Sequence, residues 1–275
     1  MPGTLDEDAM FDPKAVFDLT GASVIVTGAG GGIGAAIARL FVTAGASVLC
    51  ADVLDRVDET TASLQGLGGR AEAYRVNIAH QAEVSAMVAT AVERFGRLDV
   101  MVNCAAIIRT CLTADLEEED LDAHIAVNLK GVFFGCKAAA AVMIAQGSGS
   151  IVNVASSAID LALPQTVAYS MTKAAVAQLT KCLAAEVGAH GVRVNTVAPG
   201  FVVTPMTSRH FTNADGSIDE TRRDATVAQL AKGLVLDQLA QPIDIAHAVF
   251  YLSTPAARHV TGQILRPNGG ISMPW

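Results

Sequence analysis

SVIVTGAGGGIG, residues 23–34, is the stretch of this 275-residue sequence that decides the fold. Its first five residues, Ser23 to Thr27, are largely apolar and β-branched, which predicts a strand buried on both faces. Glycines at 28, 32 and 34 then allow a tight turn, a bare backbone beside a pyrophosphate, and close packing of a helix on the strand. The pattern from Ile33 to Ala44 is helical, so the unpaired N–H groups of that helix would face the phosphates. The stretch therefore predicts a dinucleotide-binding turn.

The alternation of buried strand and helix continues outward from this turn. Further strands are predicted at 47–52, 71–77, 98–103, 151–154, 192–197 and around 262–266, and further helices at 84–95, 121–145 and 168–188. Continuous apolar strands separated by helices indicate a parallel sheet, and right-handed crossovers place helices on both of its faces. We predict a single-domain, doubly wound Rossmann fold of the α/β class.

Two segments depart from this regular alternation. Residues 1–18 form a polar arm with several acids, and they lack the basic and apolar regions of a signal peptide. Residues 19–275 form the single domain. Within it, residues 205–239 are polar and irregular around 213–216 and then helical in pattern. We expect this segment to be a lid over the substrate site.

Composition excludes several kinds of partner. The net charge of −8 gives no reason to expect nucleic-acid binding, which needs clustered Lys and Arg. No continuous apolar run reaches the roughly 18 residues that a spanning helix requires, so we expect no membrane segment and a cytoplasmic location. The five cysteines form no C-x-x-C pair or His-Cys cluster, so nothing in their spacing suggests a metal site or a redox dithiol. Only 17% of residues are charged, against roughly 25% in average proteins, so we expect partner subunits to cover part of the surface.

The choice of cofactor depends on Asp52, which ends the second predicted strand 18 residues after Gly34. A carboxylate there can accept both hydroxyls of the adenosine ribose and would repel a 2′-phosphate. No Lys or Arg lies in the glycine turn, and the next basic residue after Asp52 is Arg56. The sequence therefore predicts NAD rather than NADP. The alternative is that Asp52 is a simple turn residue, since Asp55 and Asp58 show that acids are common nearby.

The catalytic candidates lie after the strand at 151–154. Tyr169 and Lys173 are four residues apart, so on a helix they project from the same face. An ammonium beside a phenol favours the phenolate and lowers the phenol pKa from its usual value near 10. Ser156 follows the strand at the carboxyl end of the sheet, where ligands bind in such folds. Its hydroxyl can hold a substrate oxygen that Tyr169 protonates, and Ser157 is the alternative for that role.

These motifs together resemble those of the single-domain short-chain dehydrogenases/reductases, over nearly all of residues 19–272. Asn128 in AVNLKG, the PGFVVT stretch at 199–204 and the ending TGQ at 261–263 with NGG at 268–270 add to the resemblance. The resemblance implies that Tyr169 is the general acid in reduction and the general base in oxidation, and that Lys173 binds the nicotinamide ribose. It further implies that Ser156 polarises the carbonyl, that Asn128 holds a water in a proton relay to Lys173, and that the protein is a homotetramer.

The same resemblance implies a set of cofactor-binding residues in the loops that follow the strands. They are Gly28, Gly31, Gly32, Ile33, Gly34, Asp52, Val53, Asn77, Ile78, Asn103, Ala105, Tyr169, Lys173, Pro199, Gly200, Val202 and Thr204. The backbone near Val202 and the Thr204 hydroxyl would fix the carboxamide. NCAA at 103–106 departs from the family's NNAG, with Asn103 expected near the adenosine ribose. Asn77 replaces the usual Asp beside the adenine, where its amide carbonyl can still accept from the adenine amino group.

We therefore expect an NAD-dependent oxidoreductase that transfers a hydride between NAD(H) and a secondary alcohol or its ketone. A catalytically silent NAD-binding sensor is one alternative, but it would not need the proton relay. An NAD-holding epimerase or dehydratase is another, and it would have a G-x-x-G-x-x-G turn and a larger C-terminal domain. The expected pocket edge is apolar, which predicts a mainly apolar substrate: Ile159, Leu161, Leu163, Val167, Phe201 and Met206. Asp160, Gln165 and His210 are candidates for a polar substrate contact.

Overall fold

The computed structural model describes residues 8–208, 211–213 and 215–274. Its strands are β1 (Ser23–Thr27), β2 (Ser47–Asp52), β3 (Ala71–Arg75), β4 (Val100–Asn103), β5 (Gly149–Val154), β6 (Val192–Val197) and β7 (Ile264–Leu265). They form one sheet in the order β3-β2-β1-β4-β5-β6-β7, and every neighbouring pair is parallel. The single-domain α/β fold with a parallel sheet is confirmed.

Helices cover both faces of this sheet. They are α1 (Pro13–Val16), α2 (Gly32–Thr43), α3 (Arg56–Gly66), α4 (Gln81–Phe95), α5 (Glu118–His124), α6 (Val132–Gln146), α7 (Val167–Val187), α8 (Glu220–Ala231) and α9 (Pro242–Ser253). Residues Ile125–Gly131 form a π-helical turn between α5 and α6, so 118–146 run as one continuous helix.

The core has two layers because alternate residues of each strand face opposite sides of the sheet. Val24 and Val26 of β1 belong to the layer beneath α2 and α9. There the ring of Phe41 lies 5.6 Å from that of Phe250, edge to face. Ile25 belongs to the opposite layer, beneath α4 and α6. All five residues of β1 are buried, as a strand covered on both faces requires.

The strand order places the site. β1 lies between β2 and β4, so the direction of winding reverses at β1. In open α/β sheets the crevice at such a switch point, outside the carboxyl ends of the strands, is where ligands bind. The glycine turn after β1 and the loops after β4, β5 and β6 all open at this edge.

Most element bounds follow the sequence prediction, and three helices, α1, α3 and α9, were not predicted. The strands predicted at 23–27, 47–52 and 192–197 are confirmed to the residue, whereas the one predicted at 71–77 ends at Arg75. α3 was not predicted because it is a polar surface helix that buries little. α9 was not predicted either, although its buried residues Ile245, Ala246, Val249 and Leu252 have helical spacing.

The continuous helix Glu118–Gln146 is, in the described part of the chain, the one helix long and apolar enough to cross a membrane. The prediction of no membrane segment rested on the lack of an unbroken apolar run, and this helix has no such run either. Almost half of the most apolar window of this helix is buried inside the fold. Core helices of folded domains pass the same test, so this finding is weak evidence for a membrane span.

The described residues of the segment at 205–239 combine a polar turn with a helix that buries no residue. Thr212 and Ile218 pair across its polar turn, and α8 follows. All residues of α8 are described, and none of them is buried. The role of this segment as a lid stays a prediction. In the predicted N-terminal arm, residues 1–7 lie outside the described ranges.

Candidate active site

The glycine turn after β1 is packed too closely to carry side chains. A Cβ atom on Gly28, where φ is +75°, would lie 2.9 Å from the Cα of Ala105. A Cβ atom on Gly34 would overlap the carbonyl oxygen of Gly28. α2 begins at Gly32, and its N-cap residue Gly31 makes no side-chain hydrogen bond to the first turn. This bare cradle, with uncapped N–H groups at a helix start, fits the pyrophosphate of a dinucleotide.

Asp52 is held directly beside this turn. Its Oδ2 accepts a hydrogen bond of 2.9 Å from the N–H of Gly30, and its Oδ1 accepts one of 3.0 Å from Leu54. Two backbone donors therefore fix the carboxylate at the end of β2, where an adenosine ribose would lie. The neighbouring Val53 side chain is 61% exposed. It can therefore contact a bound ligand.

Thr27 joins the loops after β1 and β4. Its hydroxyl donates to the carbonyl of Val102 (3.3 Å) and accepts from the N–H groups of Cys104 (3.0 Å) and Ala105 (3.2 Å). The backbone of the NCAA segment at 103–106 is therefore fixed at the switch point, although its sequence departs from the family's NNAG. Sequence reasoning did not assign a role to Thr27, although it opens the glycine motif.

Two predicted cofactor residues have side chains engaged elsewhere. The Asn103 amide is buried and donates to Oδ1 of Asn153 at 2.8 Å, so a ribose contact would have to come from its main chain. Oδ1 of Asn77 accepts from the N–H of Ala79 at 3.1 Å. An amide oxygen has two lone pairs, so Asn77 can still accept from an adenine. Ile78, next to it, is buried.

Tyr169 and Lys173 lie on one face of α7, as predicted. Nζ of Lys173 is 5.6 Å from the centroid of the Tyr169 ring and donates to the carbonyl of Val154 at 2.7 Å. The lysine is 1% exposed, whereas Tyr169 is half-buried. Burial lowers the pKa of Lys173 to about 8. The carbonyl of Val154, the last residue of β5, therefore anchors the Lys173 ammonium next to the phenol of Tyr169.

Ser156 follows β5 in an extended conformation, with φ of −168°. Its Oγ accepts from the N–H of Ala158 at 3.2 Å, which leaves the hydroxyl proton available for another acceptor. Ser157 is buried, and its N–H donates to the carbonyl of Pro199 at 2.8 Å. The structure therefore favours Ser156 over Ser157 as the serine that meets a substrate.

Asn128 lies fully buried in the π-helical turn, a distortion that often occurs at functional sites. Its Oδ1 accepts from the N–H of Ile107 at 2.8 Å, and its Nδ2 donates to the carbonyl of Ile107 at 2.9 Å. Nδ2 also donates to Oγ1 of Thr172 at 3.3 Å, which in turn donates to the carbonyl of Tyr169 at 2.8 Å. Asn128 therefore ties the loop after β4 to the turn of α7 that carries the tyrosine.

The PGFVVT stretch lies against the glycine turn. A Cβ atom on Gly32 would be 3.2 Å from the Cβ of Thr204. Val202 is buried and pairs with Ala240. Gly200 packs on the C-terminal segment, since a Cβ atom on it would be 3.0 Å from the Cα of Asn268. The fold thus brings together the stretch that the sequence assigns to the pyrophosphate and the stretch that it assigns to the nicotinamide carboxamide.

Asp160 is a structural residue here rather than a substrate contact. Its carboxylate forms a two-point ion pair with Arg266 (2.7 and 3.2 Å), and the two side chains are only 11% and 25% exposed. The pair closes a ring of contacts beside Ser156. The N–H of Ser157 donates to the carbonyl of Pro199, and the N–H of the next residue, Gly200, donates to the carbonyl of Pro267 at 3.2 Å. Arg266, which precedes Pro267, pairs with Asp160 and completes the ring. No local signal predicts a pair separated by 106 residues.

The other expected substrate contacts are only partly supported. Val167 and Met171 are one turn apart on α7, on the side opposite to Tyr169 and Lys173. They line a groove of about 380 Å³ with Leu161, Ala162, Leu163, Pro164 and Ser170. Three predicted pocket-edge residues thus face this outer groove rather than the phenol. The Gln165 side chain is exposed, and His210 lies outside the described residues.

A doubly wound sheet with this turn and this tyrosine–lysine pair defines a nucleotide-dependent oxidoreductase. A family model described as enoyl-(acyl carrier protein) reductase matches residues 28–272. The chain belongs to the short-chain dehydrogenase/reductase family.

Several characterised proteins are similar over almost their whole length. The 3-oxoacyl-[acyl-carrier-protein] reductase of Thermotoga maritima is 35% identical over 92% of this chain and 98% of its own. The D-threitol dehydrogenase of Mycolicibacterium smegmatis is 36% identical over 94% of this chain and 95% of its own. The crystal structure of a gluconate 5-dehydrogenase from Burkholderia cenocepacia, in complex with NADP and tartrate, is 31% identical with a TM-score of 0.86. It covers 94% of this chain and 98% of its own.

Proposed function

We propose that this chain is an NAD-dependent oxidoreductase that transfers a hydride between NAD(H) and a secondary alcohol or its ketone. The observation that carries the proposal is the buried Lys173 ammonium, 5.6 Å from the ring of Tyr169 at the ligand-binding edge of the sheet. A positive charge there favours the phenolate form of Tyr169. The nicotinamide, when bound, donates or accepts the hydride.

Each of the four candidate catalytic residues has a task that its contacts allow. Tyr169 gives its proton to the substrate oxygen in reduction and removes the alcohol proton in oxidation. Ser156 donates its free hydroxyl proton to the same oxygen. Oδ1 of Asn128 keeps one lone pair for a relay water. Because the pKa of Lys173 is about 8, this lysine can release and regain a proton near neutral pH, as a relay requires.

NAD is the proposed cofactor because of Asp52. Its carboxylate is fixed beside the turn by two backbone donors, where it would repel a 2′-phosphate. We expect kcat/KM to favour NAD over NADP by at least about tenfold, or roughly 1.4 kcal/mol, and Asp52→Ala to narrow the gap. Values that favour NADP, which the Burkholderia cenocepacia gluconate dehydrogenase binds, would contradict this assignment.

The proposed substrate is mainly apolar. Ile159, Phe201 and Met206 remain as candidates for the pocket edge, and the charge of Asp160 is neutralised by Arg266. The names of the relatives cover an acyl-carrier substrate, a polyol and a sugar acid, so they do not select one class. A panel of secondary alcohols and ketones with graded polarity tests this proposal.

We also propose a homotetramer located in the cytoplasm. Phe133 and Ile144 on α6 and Met171 on α7 are exposed apolar side chains on long helices. The groove beside Met171 adds to the apolar surface that a partner subunit would cover. Light scattering at micromolar concentration should give four times the chain mass, and a monomer would contradict the assembly.

The decisive experiment pairs turnover with binding. Wild type and Tyr169→Phe are assayed by NADH absorbance over the alcohol panel, and NAD affinity is measured calorimetrically. Tyr169→Phe keeps the ring and removes the proton, so kcat should fall roughly 10²-fold or more with NAD affinity nearly unchanged. Tyr251→Phe, a matched change on α9 and outside the proposed cofactor and substrate contacts, should leave both turnover and NAD affinity unchanged. A wild type that binds NAD but turns over no alcohol would favour the silent sensor.

A further inference from the structure

His124 ends α5, and both of its ring nitrogens are engaged. All seven residues of this helix are described, and His124 is the one that is buried. Its Nε2 lies 3.1 Å from the backbone nitrogen of Arg109, an N–H group that can only donate. Its Nδ1 lies 2.6 Å from the carbonyl oxygen of Asp120, which can only accept. The imidazole is therefore neutral, and Nδ1 carries its proton.

The Arg109 N–H belongs to the bridging loop, residues 105–111. This loop forms neither helix nor strand, so individual hydrogen bonds fix its path. Every second N–H group donates to a different part of the domain, as the period of an extended chain allows. In chain order, the donors and their acceptors are Ala105 to Thr27 Oγ1 (3.2 Å), Ile107 to Asn128 Oδ1 (2.8 Å), Arg109 to His124 Nε2 (3.1 Å) and Cys111 to the carbonyl of Gln165 (3.1 Å).

Two of these acceptors lie one helical turn apart. His124 and Asn128 are four residues apart, which is a rise of roughly 6 Å along a helix. Their donors are two residues apart, and an extended chain covers roughly 6.5 Å in that distance. The bridging loop therefore runs antiparallel to the helix and in register with it. Without the His124 acceptor, Arg109 would lose its partner while the bonds of Ala105 and Ile107 stay in place.

The side chain of Arg109 is attached to the same helix more weakly. It forms an ion pair with Asp120, and the two side chains are 58% and 34% exposed. Exposed ion pairs contribute little to stability, whereas a buried polar group that loses its partner is costly. The fully buried imidazole is therefore the stronger attachment of this part of the loop.

We infer that His124 is a positioning residue, which holds the bridging loop as one wall of the substrate pocket. The inference rests on the proposed function, because it takes the Tyr169 phenol as the place of the reacting oxygen. The loop starts at the switch point and ends on Gln165, four residues before Tyr169. A substrate that reaches both the nicotinamide and Tyr169 must lie beside the segment that joins these two places. Its affinity therefore depends on how firmly Arg109 is held.

Two substitutions of His124 separate the hydrogen bond from packing. His124→Leu fills the space but has no acceptor, whereas His124→Gln brings an amide oxygen close to the position of Nε2. In His124→Leu, KM for the alcohol that the wild type oxidises fastest should rise about tenfold, with kcat and NAD affinity changed by less than about twofold. Hydrogen–deuterium exchange of residues 107–111, followed by mass spectrometry, should become about tenfold faster. His124→Gln should return KM and exchange to within about threefold of the wild type.

Asp120→Asn is the matched control. It removes the exposed ion pair with Arg109 and keeps the carbonyl that Nδ1 of His124 binds, so KM and exchange should change by less than about twofold. A change as large as that of His124→Leu would mean that the side chain of Arg109, and not its backbone, holds the loop, and the inference would be wrong.

Three further results would contradict the positioning role. Equal KM values in His124→Leu and His124→Gln, both above the wild type, would mean that the ring only fills space. Faster exchange in His124→Leu with an unchanged KM would mean that the loop is held but does not meet the substrate. Both results leave the proposed function in place. A wild type that oxidises no alcohol in the panel would instead overturn the proposed function, and the positioning role with it.

Discussion

The cofactor side and the substrate side of this site are built in different ways. On the cofactor side, the turn at 28–34 is packed against β1 and the loop after β4, and Asp52 is fixed by two backbone N–H groups. On the proposed substrate side, the segment 205–239 runs through polar turns into α8, of whose twelve described residues none is buried. Dense packing specifies one geometry, whereas an exposed segment opens at a low free-energy cost. Substitutions on the cofactor side should therefore be far more destabilising than substitutions on the substrate side.

The largest expected effect comes from Gly34→Ala. The new methyl group would overlap the carbonyl oxygen of Gly28, a backbone atom that cannot rotate away. We expect a loss of about 3 kcal/mol or more in the free energy of unfolding, together with weaker NAD binding. Thermal denaturation and calorimetry measure the two.

Gly66→Ala is the control for this change. Gly66 is the last residue of α3, and a Cβ atom on it would meet nothing within 4 Å. Alanine is favoured over glycine in helices, so stability should stay the same or rise by up to about 1 kcal/mol. If both variants behaved alike, the tight packing assigned to the turn would be wrong.

The same contrast explains what the sequence could predict. The strand–turn–helix at 23–44 was predictable because a pyrophosphate cradle needs glycines at fixed positions, and these leave a local signal. The spacing of Tyr169 and Lys173 likewise put both on one face of α7, which is confirmed. α3 left a weak signal because most of its surface is polar.

The remaining contacts join distant parts of the chain, and local pattern does not encode them. Lys173 depends on the carbonyl of Val154, and Asp160 on Arg266. Asp160 was misread as a substrate candidate for this reason, since its partner lies at the other end of the domain.

A second, smaller effect is expected for Lys173→Met. The pKa of Lys173 is about 8 in the folded chain, below the usual 10.5, so burying the charged form costs stability. Between those values the unfolded chain binds more protons, so wild-type stability should rise as pH increases from 8 toward 10.5. At pH 7 the free energy of unfolding of the variant should be higher than that of the wild type by about 1 to 3 kcal/mol. This is the cost of burying the ammonium, reduced by the loss of the hydrogen bond to Val154. The turnover of the variant should fall sharply.

Chemical denaturation at several pH values measures this stability change. Lys181→Met, an exposed change on the same helix, should shift stability by less than about 0.5 kcal/mol. A Lys173→Met variant less stable than wild type at pH 7 would contradict the cost assigned to the buried ammonium.

The smallest effect concerns the boundary between the two sides. Asp160→Asn leaves Arg266 partly buried without its charged partner, which should lower the free energy of unfolding by about 1 to 2 kcal/mol. Because the change displaces Ser156, it should also lower kcat more than it raises KM. The reversed pair, Asp160→Arg with Arg266→Asp, should restore part of both. Glu220→Gln, which breaks an exposed pair with Arg223 on α8, should change neither. If Asp160→Asn and Glu220→Gln had equal effects on stability and kcat, the ring of contacts would matter no more than the exposed segment.

The central claim is that Tyr169 exchanges the substrate proton and that Lys173 lowers its pKa. The most direct test is the pH profile of alcohol oxidation at saturating NAD, measured by NADH absorbance in the wild-type enzyme. We expect kcat to rise with pH through one apparent pKa below the free-phenol value near 10, and this rise to be absent from the residual activity of Tyr169→Phe. A profile that is flat with pH, or a rise that persists unchanged in Tyr169→Phe, would contradict it.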